Sequence, residues 1–124
     1  MSLAKVGVMT HALHYGTAVF EGIRGNWNSD HEKVYIFRLR EHMERLLQGC
    51  SILRMTLPLS VDDLCNLTVQ MVEKCGYTED LYIRPVAYKS AEKVANLKLP
   101  ELEDDFFVLA IPFGKYIDSD GAIR

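Results

Sequence analysis

The sequence predicts an α+β fold: a mostly antiparallel sheet with two amphipathic helices packed on one of its faces. Three observations predict it. Two segments in the middle of the chain carry apolar residues at helical spacing. The segments on either side are rich in β-branched and aromatic residues. The resulting order β, β, α, α, β, β segregates helices from strands, as in sheets covered on one side only. The chain has 124 residues, 48% of them hydrophobic, which suffices for one domain on a scale of roughly 100–200 residues each.

A short strand around Glu21–Gly25 is expected first, then a turn-like stretch over 26–30. Val34–Phe37 is β-branched and aromatic and reads as a strand. From Arg40 to about Leu53, Met43, Leu46, Leu47, Cys50 and Leu53 recur at three- and four-residue spacing, the mark of a helix with one apolar stripe. Pro58 breaks the chain. Ser60 is suited to cap a second helix, with Asp62 and Asp63 in its first turn facing the positive end of the helix dipole. Leu64, Leu67, Thr68, Met71, Val72 and Cys75 continue its stripe, and Gly76 stops it. Leu81–Lys89 alternates, placing Leu81, Ile83, Pro85 and Ala87 on one face and Tyr82, Arg84, Val86 and Tyr88 on the other. The polar stretch 90–105 reads as a long loop. Phe106–Ile111 is so continuously apolar that burial on both faces is expected. Residues 1–117 form the predicted domain, and 118–124 read as the start of a connection to a larger domain.

Composition excludes several classes. A net charge of −3 with a quarter of residues charged fits neither a disordered chain nor a nucleic-acid binder, which needs a basic excess. The longest apolar run, Phe106–Pro112, is far short of the roughly 20 residues of a membrane span. Residues 1–5 lack the apolar core of an export signal. Cys50, Cys65 and Cys75 are odd in number and show no metal-ligand spacing. Free thiols in a reducing, cytoplasmic setting are therefore expected. The four histidines form no metal pattern either; His11 and His14 are expected to pack structurally.

The most informative stretch is His11-Ala12-Leu13-His14-Tyr15-Gly16-Thr17-Ala18-Val19-Phe20-Glu21-Gly22-Ile23-Arg24. With Arg38–Leu46, Tyr82-Ile83-Arg84-Pro85 and Ile111–Tyr116, it resembles the branched-chain aminotransferases of the fold-type-IV pyridoxal-phosphate enzymes, motif by motif and in the same order. D-amino-acid aminotransferases and aminodeoxychorismate lyases, relatives in the same group, typically open the first motif with an Asp-Arg-Gly-type sequence. The resemblance therefore favours the branched-chain branch. It implies pyridoxal 5'-phosphate as cofactor, amino acids and 2-oxo acids as substrates, a homodimer, and a Schiff-base lysine beyond this chain. Phe113 stands where some members carry tryptophan, and 90–105 lacks the glycine-rich loop of several members.

Individual residues keep two readings. Arg45 on physics alone is a surface arginine four residues after Glu41, a pair of slight worth; the resemblance makes it the anchor of the cofactor phosphate. Arg84 is either exposed on an edge strand, which Pro85 permits, or a bidentate receptor for a substrate carboxylate. The resemblance favours the second, for the side-chain carboxylate of glutamate or 2-oxoglutarate. Tyr15, Phe20, Tyr82, Phe113 and Tyr116 are core packers singly and pocket walls as a family set, with Tyr15 reaching across a dimer. Gly16 and Gly22 serve tight backbone geometry. No lysine of the chain is expected in a buried setting; Lys89, Lys93 and Lys98 fall in or beside the polar loop, and Lys115 lies nearest the pocket. The rival readings are a non-catalytic binding or dimerisation module of the same fold and a related class IV enzyme, a D-amino-acid aminotransferase or an aminodeoxychorismate lyase.

Overall fold

A computed structural model describes residues 4–114. Its elements are α1 (His11–Tyr15), β1 (Ala18–Phe20), β2 (Ile23–Asn28), β3 (Lys33–Ile36), α2 (Leu39–Ile52), α3 (Val61–Cys75), β4 (Leu81–Lys89) and β5 (Asp104–Pro112), with one 3-10 turn at Leu99–Glu101. The α+β architecture is as predicted, and both long helices lie where the apolar periodicity puts them. Ser60 caps α3 reciprocally: its hydroxyl accepts from the Asp63 N–H at 3.1 Å, and the Asp63 carboxylate accepts from the Ser60 N–H at 2.9 Å. Gly76 ends α3 in the left-handed conformation at φ 65°, which costs glycine nothing. The short helix α1 was not foreseen; Gly16, also at φ 65°, closes it.

All strands of the described sheet pair antiparallel. β4 is its centre. β5 runs along one side of it over its whole length, while β1 and β2 lie in line along the other, with β3 outside β2. This corrects the edge-strand alternative for Pro85. A central strand tolerates proline only where no N–H is required, and the sheet supplies that place. Phe20 pairs with Val86 and Ile23 with Ile83, so β1 and β2 are one register interrupted at Glu21 and Gly22. The Glu21 N–H donates to the Pro85 carbonyl at 3.2 Å, but Pro85 has no N–H to return. The strand breaks there.

Other boundaries moved. β2 extends to Asn28, through part of the stretch expected to turn, and the turn falls at residues 29–32. Asn28 fixes it by accepting the His31 N–H at 2.9 Å. Phe37 lies outside β3 and is exposed. β5 begins at Asp104, inside the expected loop, and it is not buried on both faces. Val108 and Ala110 are buried, whereas Phe107, Leu109 and Ile111 on its other face are exposed.

The helices cover the sheet face carrying Ile23, Leu81, Ile83, Val108 and Ala110, against which Met43, Leu46, Leu64 and Val72 pack. Gly49 lets α2 approach β1: a Cβ there would meet Val19 Cγ1 at 3.1 Å. Cys50 is buried, and Cys65 and Cys75 are partly buried, all as free thiols; burial pushes the Cys50 and Cys65 thiols above their ordinary values. Of the two histidines expected to pack structurally, His11 is fully buried and His14 is exposed. The His11 ring nitrogens pair with Thr17 Oγ1 at 2.8 Å and the Asn96 carbonyl at 2.7 Å.

Lys89 reverses an expectation. It closes β4 on the helix-covered face and is entirely buried. Its Nζ lies 2.6 Å from Asp104 Oδ1 and donates to the Arg54 carbonyl at 2.9 Å. The polar loop beside it in sequence gave no sign of this, because alternation along β4, not the following composition, decides where the side chain goes.

Candidate active site

Opposite the helices the sheet presents an open face. Successive side chains of a strand point to opposite sides, so β4 sends Tyr82, Arg84, Val86 and Tyr88 there, and β1 sends Phe20. Arg84 is the centre of a stacked row. Its Nε and Nη2 donate to the Tyr82 hydroxyl at 3.2 and 2.8 Å. Its guanidinium lies 4.3 Å from the centre of the Phe20 ring and 5.2 Å from that of Tyr82. Tyr82 in turn stands 6.0 Å from Phe113, over which Arg24 sits at 5.1 Å. Each guanidinium in the row thus lies against at least one aromatic ring, a contact that is attractive in itself. A hollow of about 230 Å³ opens beside it, lined by Tyr82, Arg84, Leu109, Ile111, Pro112 and Phe113. Gly22 is needed here, since a Cβ at that position would stand 2.9 Å from the Tyr82 hydroxyl.

Four of the sequence-predicted site residues, Phe20, Tyr82, Arg84 and Phe113, therefore come together. Tyr15 does not join them. Its ring packs on His11 at 4.5 Å and its hydroxyl accepts the Ala95 N–H at 2.7 Å, which ties it to the loop after β4. Tyr116 and Lys115 lie outside the described residues.

Arg45 occupies the helix side of the strand break. Its partner is not Glu41, which lies 3.9 Å from Arg38, but Glu21, 24 residues away. Nε and Nη2 of Arg45 donate to Oε1 and Oε2 of Glu21, both at 2.6 Å. The His42 Nδ1 stands 3.2 Å from Oε2. Arg45 holds the Glu21 carboxyl below its usual range, against the opposing effect of burial. The Arg45 side chain is nevertheless 69% exposed, and with Phe20, Gly22, Leu46 and Gly49 it lines a shallow depression. Its Nη1 has no partner among the described residues. An exposed, oriented guanidinium with an uncommitted edge, beside two glycines, fits a phosphate group.

Three contributors escaped the sequence reading. Arg24 and Asp80 form an ion pair at 2.9 Å, Asp80 also accepting the Trp27 N–H at 2.9 Å; these bonds hold the Asp80 carboxyl below its usual value. Arg24 closes the first motif at the spacing that puts it on the Phe20 face, which was the available signal. Glu21 had no comparable signal, because its partner is set by helix docking. Among the described residues, no cluster of three or more potential metal ligands exists.

Residues 18–122 match the class IV amino-transferase family, and the chain belongs to it. Within that class the similarity is to branched-chain enzymes. The chain is 40% identical over 98% of its length to the probable branched-chain-amino-acid aminotransferase of Aquifex aeolicus, and covers 39% of that protein. The branched-chain aminotransferase of Thermoproteus uzoniensis, solved with norvaline, superposes with a TM-score of 0.85 at 46% identity, over 94% of this chain and 38% of that one. The branched-chain amino acid aminotransferase of T.th., complexed with N-(5'-phosphopyridoxyl)-L-glutamate, gives 0.83 at 37% identity, again over 94% of this chain and 38% of that one. The chain thus spans somewhat over a third of the relatives it matches.

Proposed function

We propose that this chain is the small domain, residues 1–117 with 118–124 leading on, of a pyridoxal-phosphate-dependent branched-chain aminotransferase. In this reading the complete protein moves an amino group between leucine, isoleucine or valine and 2-oxoglutarate. The cofactor, when bound, supplies the electron sink for that chemistry, and the lysine that holds it lies beyond this chain. What this chain adds is selection and anchorage. One observation carries the reading: a single arginine, Arg84, set among Phe20, Tyr82, Leu109 and Ile111. A branched side chain meets apolar walls there. A glutamate side chain meets a guanidinium whose orientation the Tyr82 hydroxyl holds. One pocket thereby accepts both halves of a reaction that alternates apolar and acidic substrates.

Arg45 would hold the cofactor phosphate, and Tyr15 and Tyr116 would line the pocket, Tyr15 from the neighbouring subunit of a homodimer. A cytoplasmic setting agrees with the free thiols; no helix among the described residues is long and apolar enough to cross a membrane.

The test is Arg84→Leu in the complete enzyme. Turnover of glutamate and 2-oxoglutarate should fall by roughly tenfold or more, the worth of a hydrogen bond to a charged group. Leucine and its keto acid should lose much less. Equal loss in kcat/KM for both classes would refute the assignment.

A further inference from the structure

Glu21 is the most deeply buried acidic residue among those described, and the function proposed above does not use it. A buried carboxylate is unfavourable unless its charge is matched. Here both oxygens are taken: Oε1 by Arg45 Nε, Oε2 by Arg45 Nη2, with His42 Nδ1 also near Oε2. The contrast in exposure within the pair matters, with the Glu21 side chain at 6% and that of Arg45 at 69%. An arginine on a helix surface ordinarily samples many rotamers. This one is gripped in the fork geometry that fixes the plane of a guanidinium. The fork uses the Nε/Nη2 edge and leaves Nη1 uncommitted beside the depression formed by Ala18–Gly22 and α2.

The grip itself is fixed by the sheet. Glu21 stands at the strand break opposite Pro85, and its own N–H is tied to the Pro85 carbonyl. The neighbouring Phe20 covers Arg84 on the other face. One dipeptide therefore places the proposed phosphate anchor on one side and the proposed substrate arginine on the other.

We infer that Glu21 is a positioning residue for the cofactor phosphate: it orients Arg45 so that the Nη1 edge is presented to the anion. This rests on the reading of Arg45 as the phosphate anchor. A carboxylate beside an anion site repels the anion as well as orienting its receptor, so the sign of the effect is the test.

The experiment uses the complete enzyme freed of cofactor, titrated with pyridoxal 5'-phosphate and separately with pyridoxal, which lacks the phosphate. Wild type, Glu21→Gln, Arg45→Ala, the double variant and Arg45→Lys are compared. Glu21→Gln should weaken binding of the phosphate form about tenfold, the effect of losing one charge-assisted bond, and leave pyridoxal within about twofold. The double variant should bind no more weakly than Arg45→Ala, because Glu21 acts through Arg45. Arg45→Lys, an exposed change that keeps charge without the fork, should behave much as Arg45→Ala does. Tighter binding in Glu21→Gln would make Glu21 a competitor of the phosphate and overturn the inference. So would equal losses for both ligands, additive losses in the double variant, or wild-type affinity in Arg45→Lys. Unchanged affinity in Arg45→Ala would remove the phosphate reading itself, whereas a loss there with none in Glu21→Gln removes this inference alone.

Discussion

At the scale of single residues, the site depends on close approaches that side-chain size decides. Gly22 faces Arg84 across the interrupted register, and the Tyr82 hydroxyl occupies the space a Cβ would take. That hydroxyl accepts from both Nε and Nη2 of Arg84. Gly22→Ala is therefore expected to displace the phenol and release Arg84 without touching either side chain chemically. In the complete enzyme, kcat/KM for 2-oxoglutarate should fall roughly tenfold, as for a lost hydrogen bond to a charged group, and that for leucine's keto acid far less. Matching losses would mean that the alanine disturbs the strand break as a whole. The types of Phe20, Tyr82 and Arg84 were readable from their motifs, and alternation along β4 put Tyr82 and Arg84 on one face. That Gly22 makes room for Tyr82 was not, since the two belong to strands far apart in sequence.

At the scale of elements, the break between β1 and β2 and the burial at the end of β4 share one origin, the strict alternation of β4. Pro85 falls on its helix-covered face and points its missing N–H at β1 and β2. Four residues on, the same alternation carries Lys89 under the end of α2. There Asp104 of β5 approaches it at 2.6 Å and also accepts the Thr56 N–H at 2.9 Å. The ion pair thus joins β4, β5 and the segment after α2. Removing one member of a buried pair leaves the other charge uncompensated, at a cost of about 3–5 kcal/mol. Lys89→Met in the complete enzyme should lower the urea midpoint and speed amide hydrogen exchange in β4 and β5. Exchange unchanged in those strands would show that the pair is dispensable. The helices were legible because a 3.6-residue period and a capping box are local signals. The apolar run of β5 predicts burial on both faces, because such a run does not reveal which of its faces another layer covers.

At the scale of the whole molecule, one sheet face is closed by helices and the other is left open. Phe20, Phe107, Leu109 and Ile111 are among its exposed side chains. These side chains lie beside the Arg84 row, on the face the helices leave uncovered, and the chain spans a little over a third of the relatives it matches. Taken alone, the 124 residues should neither bind the cofactor covalently nor transaminate. Lys89 is sealed in the core, and Lys5, Lys33, Lys74, Lys93 and Lys98 are exposed on the surface. Incubation with stoichiometric pyridoxal 5'-phosphate, borohydride reduction and mass spectrometry should show sparse labelling spread over these side chains. A single adduct at high occupancy, on Lys115 above all, would make this chain a cofactor site in its own right.

The sequence by itself determined the α+β class, the two helices with their caps and stripes, and the alternating faces of β4. Each of these follows from residues within a few positions of one another, where periodicity and local hydrogen bonding act. It also contained the four motifs on which the family resemblance rests. Only the tertiary structure decided that Pro85 sits in the central strand opposite a break, that Arg45 is gripped by Glu21 and not by Glu41, and that Lys89 is buried. Those outcomes depend on register and on how α2 docks onto the sheet. Packing sets both between segments distant in the chain, so no local pattern records which buried charge will meet which partner.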